Sequence, residues 1–181
     1  WDVNDGNIVR PPLEKILFVT ERPYLPPGSL RELFIRPWPE EAQPSEKDLL
    51  NNEFPEIRIL EGLRSLKIDS ILKRFGGINT RQTWESVLTL SEQQLLVIAR
   101  VLLAGPRFAF LEKPSTTLSS EQVEWVLGLL NRHGISCVTF EESSENLEPY
   151  HMVLELEKGG FWTYSPVEAG QILTKNYDLA V

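Results

Sequence analysis

Three charged positions follow short apolar runs in this 181-residue chain: Glu21 after Lys15 to Val19, Glu112 and Lys113 after Phe108 to Leu111, and Glu141 and Glu142 after Ile135 to Phe140. If those runs are parallel strands, all these groups stand at carboxyl ends, where open α/β sheets bind their ligands. Two acids at such an end could hold a divalent cation and polarise a water. Here the second group is Lys113, and an ammonium has no lone pair with which to accept a proton. The strand ends are charged, but not with the pair of acids that such chemistry would need.

The elements that must position these groups can be read from periodicity. Lys15 to Val19 is a short strand that meets the Pro-rich loop "ERPYLPPGS", and Ser29 caps a short helix over Leu30 to Phe34. Pro37, Pro39 and Pro44 make the next stretch a loop. Ser45 to Asn52, Glu56 to Leu66 and Asp69 to Phe75 read as helices, the second with Ile57, Leu60, Leu63 and Leu66 on one face; Gly76-Gly77 marks the exit. In "TLSEQQLLVIARVLLAGP", Ser91 and Gln94 have the form of a capping box, a helix runs to about Leu103, and Gly105-Pro106 stops it. Phe108 to Leu111 then has the continuous apolar character of a strand buried on both faces. Ser119 or Ser120 opens a helix to about Arg132, His133-Gly134 closes it, and Ile135 to Phe140 is the next strand. Met152 to Leu156 and Phe161 to Tyr164, joined by "EKGG", predict a hairpin, and "SPVEAGQIL" predicts a last helix with Pro166 in its first position. Strands alternating with helices imply a parallel sheet covered by helices.

Composition narrows the function. At 41% hydrophobic and 24% charged, the chain has the material for a sizeable core. A net charge of -8 without a basic block argues against nucleic acid or an anionic membrane surface as partner. Acid pairs such as Glu40-Glu41 and Glu141-Glu142 are, on charge patterning alone, solvated surface. The single cysteine, Cys137, excludes an internal disulfide and reads as a small core residue. The longest apolar run, Leu95 to Leu111, is interrupted by Arg100, Pro106 and Arg107 and is too short and too charged to cross a bilayer. No secretion signal is visible at "WDVNDGNIVRPP". His133 and His151 lack ligand neighbours, so no metal site is expected there. Ser91, Ser115 and Ser119 lack a histidine partner and read as caps or turns; Trp125 and Trp162 read as packing residues.

The residues also carry a resemblance. "FVTERPYLPPGSLRELF" is similar to the glutamine-loop segment of ATP-binding cassette (ABC) domains, and "WESVLTLSEQQLLVIARVLLAGPRFAFLEKPST" to their signature helix and Walker B strand. "GISCVTFEESSENLEPYHMVLELEKGGFW" resembles their switch-histidine segment. The likeness runs from Trp1 to Tyr164 and, through Arg22 to Pro26 and Trp84, is greatest to peroxisomal fatty-acyl (subfamily D) half-transporters and their bacterial and plastid relatives. It implies a P-loop NTPase-like α/β fold: a parallel sheet covered by helices, a helical signature subdomain at about 45–95, a core of 1–44 and 96–165, and a C-terminal tail of 165–181.

Position by position, the resemblance implies a degenerate site. Glu21 stands where the family has a glutamine that senses metal and water. The signature equivalents are Leu88, Thr89, Leu90, Ser91 and Glu92, with Ser91 in place of a glycine that lets N–H groups approach a partner's phosphate. Glu112 and Lys113 replace the Walker B acids and Glu142 replaces the histidine, so no catalytic group is intact; Ser119 stands for a loop-closing aspartate. Lys113 and Glu142, having exchanged charge signs, are expected either to pair with each other or, as independent replacements, to point to solvent, with Glu141 in place of Glu142 if the alignment shifts by one. The chain contains no G-x-x-x-x-G-K-[ST] phosphate loop. Losing the loop would also lose an inner strand, so the expectation is a fragment whose loop lies before Trp1. The resemblance thus implies ATP with magnesium held weakly or only across a dimer interface, if at all, and little hydrolysis by the chain alone. The implied partners are a second nucleotide-binding domain, as homo- or heterodimer, and a transmembrane domain. The implied place is the cytosolic, stromal or matrix face of a membrane, as part of a transporter. The alternative is a pseudo-ATPase kept as a structural or regulatory subunit of a larger complex.

Overall fold

The computed structural model describes residues 9–35, 56–142 and 146–172. Strand β1 (Ile16–Val19) leads through the Pro-rich loop to β2 (Gly28–Ser29) and α1 (Leu30–Ile35). The Ser29 hydroxyl accepts from the Glu32 N–H at 3.1 Å and the Glu32 carboxylate accepts from the Ser29 N–H at 2.9 Å, so the expected cap is reciprocal. Helices α2 (Glu56–Ser65) and α3 (Ser70–Phe75) follow, and Gly76 closes α3 with a left-handed φ of 78°. Then come β3 (Arg81–Gln82), α4 (Trp84–Val87), α5 (Leu90–Ala104) and β4 (Phe108–Glu112). After β4 lie α6 (Ser120–Arg132), β5 (Ser136–Phe140) and three further strands, β6 (Met152–Leu156), β7 (Trp162–Glu168) and β8 (Gln171–Ile172). The expected helix over Ser45 to Asn52 and the pair Glu40-Glu41 lie outside the described residues.

β1, β4 and β5 form the parallel sheet, in that order, with Val19, Leu111 and Thr139 in register. Period-two alternation sends Leu17, Val19, Ala109 and Leu111 into one core with Leu96 to Ala99 of α5 and Val123, Val126 and Leu130 of α6. Leu25, Leu30, Ile59, Leu63, Ile71 and Trp84 belong to the same continuous core and are fully buried. The opposite face of the sheet departs from the expected two-sided burial. Phe18 and Phe140 are 55% and 53% exposed, and they stack on either side of Phe110 with centroids 5.0 and 6.0 Å away. The apolar run predicts two covered faces, but among the described residues α5 and α6 pack only on the other side.

Two boundaries also differ. The capping box of α5 is Thr89 with Glu92, not Ser91 with Gln94. Both quartets fit the motif, but the helix begins one residue before Ser91, which puts Gln94 inside it, fully buried. "SPVEAGQIL" is not a helix: β7 continues through Pro166, and Ala169 and Gly170 turn the chain with φ of 49° and 75° into β8. Two consecutive positive φ values suit a tight two-residue hairpin and are incompatible with a right-handed helix. Trp162 is 53% exposed rather than packed, because Leu154, Leu156, Trp162 and Tyr164 share a sheet face that no described residue covers.

Candidate functional site at the strand ends

Parallel register brings the charged positions together as the alternating elements require. Glu112 pairs with Phe140, and one residue later the Lys113 N–H donates to the Phe140 carbonyl at 2.8 Å. From β1, the Glu21 N–H donates to the Glu112 carboxylate at 3.3 Å. Lys113 adopts a left-handed backbone, φ 43° and ψ 52°, which ends β4 and starts the 3-10 turn Pro114–Thr116. Its side chain forms an ion pair with Glu142. The pairing expected from the exchanged charges is therefore present.

The electrostatics follow from that contact. Glu142's hydrogen bond and charge raise the Lys113 pKa above its usual value, with smaller contributions from Glu21 and Glu112. The same hydrogen bond and charge from Lys113 lower the Glu142 carboxyl. The adjacent acid has a separate partner: Glu141 accepts from the Ser115 hydroxyl at 2.5 Å and from the Ser115 N–H at 3.3 Å. Four contacts thus join the turn after β4 to the end of β5. Phe18, Phe110 and Phe140, together with Thr20, Glu112 and Lys113, line an open cavity of about 300 Å³ beside them.

A divalent cation does not fit this donor set. Glu142 is engaged by an ammonium, Glu141 by Ser115, and Glu112 by a backbone N–H. Among the described residues no group of three or more His, Cys, Asp or Glu is arranged to hold a metal ion. Cys137 is no ligand either, since burial pushes its thiol up to about 11.

The signature equivalents form a second cluster. Thr89, Leu90, Ser91 and Glu92 open α5, with the Thr89 hydroxyl accepting from the Glu92 N–H at 3.2 Å. The Glu92 carboxylate accepts from the Thr89 N–H at 3.0 Å and pairs with Arg74 of α3. Partial burial pulls its pKa up, but the Thr89 N–H and Arg74 together hold it below the ordinary carboxylate value. The contacts of Thr89 and Glu92 run to each other and to Arg74, away from Lys113 and Glu142.

Further contacts, most of which the sequence reading did not assign, tie the two clusters to the frame. Gln94 of α5 accepts from the Thr117 hydroxyl in the loop after β4. Glu85 of α4 accepts from the Leu25 N–H, at 3.2 Å, in the loop after Glu21. Ser119 caps α6 with Gln122. Trp125 donates to the Ser65 carbonyl at 2.9 Å while Lys67 and Arg132 flank its ring, a tether between α2 and α6. Apart from the local Ser119 cap, these partners are far apart in the chain and leave no periodic signal.

Comparison with known proteins accords with this geometry. No protein-family profile matches the chain. It is 30% identical to an ABC transporter ATP-binding protein of Synechocystis over 92% of its own length and 24% of that protein's. ABC transporter D family member 1 of Arabidopsis thaliana is 28% identical over 90% of this chain and 12% of its own. ATP-binding cassette sub-family D member 3 of Rattus norvegicus is 24% identical over 92% of this chain and 24% of its own. The chain therefore spans a quarter or less of the length of these relatives. No helix among the described residues is long and apolar enough to cross a membrane. With the ordered motifs, the parallel sheet and matches over nine-tenths of its length, the chain belongs with the nucleotide-binding domains of the ABC family and is similar to those of subfamily D.

Proposed function

We propose that this chain is part of a transporter's nucleotide-binding domain in which ATP hydrolysis is slight or lost. It acts at the cytosolic, stromal or matrix face of a membrane with a transmembrane domain and a second nucleotide-binding domain. The observation that carries the reading is the Lys113–Glu142 ion pair. A hydrolysing site needs a group that accepts a proton from the attacking water. Lys113 can do so only after shedding a proton that Glu142 helps it to keep. Glu142, for its part, presents a negative charge to any terminal phosphate that approaches the strand ends.

Binding is separable from turnover. Thr89 to Glu92 open a fifteen-residue helix, and the amino end of such a helix favours an anion through its N–H groups and dipole. We assign this end, weakened by the Ser91 side chain, to a nucleotide held by the partner across a dimer interface. One competent site can then survive in an asymmetric pair.

The test is ATP binding and turnover by the full-length polypeptide, alone and with candidate partners. Turnover at background is expected for the protein alone. Lys113→Glu combined with Glu142→His should raise it, by less than the about 10²–10⁴-fold that a well-placed base contributes, because Glu21 and Ser91 remain. Turnover by the unaltered protein that Glu112→Gln abolishes would defeat the proposal.

A further inference from the structure

We infer that Lys113 is the resident cation of the strand-end carboxylates and that its ammonium excludes a divalent metal ion from them. The inference deepens the proposed function and rests on the same assignment of positions, but it concerns metal rather than nucleotide and can be measured without ATP.

Its basis is the arrangement of charges around one side chain. Glu21 and Glu112 are linked from β1 to β4 by the 3.3 Å hydrogen bond, and Glu142 reaches back from the end of β5 to the ammonium. Glu112 at the end of β4 and Glu142 after β5 therefore bring carboxylates to one edge, the Glu21 charge also acts on Lys113, and a cation built into the chain stands among them. The left-handed backbone at Lys113 and its 2.8 Å N–H bond to Phe140 fix where that side chain starts. A non-glycine residue in this conformation is strained, so the position is held by its surroundings rather than adopted by default.

The ligand chemistry leads the same way. Magnesium and manganese take carboxylate oxygens in a tightly specified shell and keep several waters. An ammonium on Glu142 occupies an oxygen such a shell would use and repels a second cation approaching Glu112. Glu141 offers no substitute while Ser115 donates to it twice. Removing the ammonium while leaving the acids would free the Glu142 oxygen it now engages, at a strand edge whose frame the register of β1, β4 and β5 already holds in place.

The experiment is a titration of the nucleotide-free full-length polypeptide with Mn²⁺, free metal being followed by electron paramagnetic resonance. The parent protein and Lys113→Arg, which keeps the charge, should show no saturable site. Lys113→Met should gain one, at least about tenfold tighter than any binding by the parent. Adding Glu112→Gln to Lys113→Met should remove the gain. If Lys113→Met fails to fold by circular dichroism, Lys113→Gln takes its place in both measurements. Saturable binding by the parent as tight as that of the uncharged variant would overturn the inference. So would a folded, uncharged variant with no gain, or a gain that survives Glu112→Gln. ATP turnover by the parent alongside the expected metal results would instead sink the proposed function and leave the metal exclusion standing.

Discussion

The core around Trp84 and the charged strand ends are built from the same three-stranded sheet, yet they are held in opposite ways. Trp84 is fully buried, meets Phe75 edge-on at 5.6 Å, and lies in one cluster with Leu25, Leu63 and Leu96. At the strand ends the Glu142 side chain is 80% exposed and Lys113 33%, and a few polar contacts do all the joining. Packing depends on shape and tolerates little change, whereas exposed charges can be exchanged in sign with almost no effect on folding. A fold held this way can keep its core while the charges at its strand ends change.

That contrast fails at once if the core is not the support. Trp84→Ala should cost about 3–5 kcal/mol, the usual range for emptying a buried aromatic site, and chemical denaturation of the full-length protein should register it as a fall in midpoint. Trp84→Phe should cost much less. The indole N–H is buried with no hydrogen-bond partner among the described residues, so removing it relieves a desolvated donor while losing part of the ring. Equal losses from the two variants would mean that the indole N–H has a partner of importance, such as a buried water.

The same division explains what could be read from sequence. Leu96, Val97, Val126 and Leu130 recur at helical spacing because one face meets the sheet, and Gly105 and Gly134 stop their helices through positive φ, so α5, β4, α6 and β5 were legible in order. The exchange of charge between Lys113 and Glu142 was legible too, since the strand ends can be placed once the sheet is known. Alternative starts were not: Thr89-x-x-Glu92 and Ser91-x-x-Gln94 are equally good local motifs, and only the burial of Gln94 against Thr117 decides between them. Pro166 fits the first position of a helix, but strand pairing with β6 and the positive φ at Ala169 and Gly170 overrode that local reading.

The amino end of α5 lies between the two regimes, and its predicted effect is intermediate. Thr89→Ala removes the hydroxyl that accepts from the Glu92 N–H and should cost about 1 kcal/mol, while Thr89→Ser should retain most of the stability. Acid should produce a related loss. Glu92's folded-state pKa lies below its ordinary value of 4.5, so its contribution is complete above that pH and declines as pH falls through the lowered value. The difference in stability between the parent and Glu92→Gln should accordingly shrink on acidification below pH 4.5 and be constant above it. A difference that grows on acidification would reverse the sign assigned to the Thr89 and Arg74 contacts.

The smallest effect on folding is expected where the effect on chemistry is largest. Lys113→Met and Glu142→Gln each remove one side of an ion pair that faces water, and water and salt screen whatever is lost. Neither variant should shift the denaturation midpoint of the full-length protein measurably, at low or at high salt. A marked loss that is absent from the double variant would show the two charges to be coupled more strongly than their exposure allows. The strand-end pair would then be part of what holds β4 to β5, and a charge exchange there would need a stabilising reason as well as a catalytic one. No shift in either variant leaves the backbone bond from Lys113 to Phe140 and the sheet register as the support, with the side chains free to have changed under functional constraint alone.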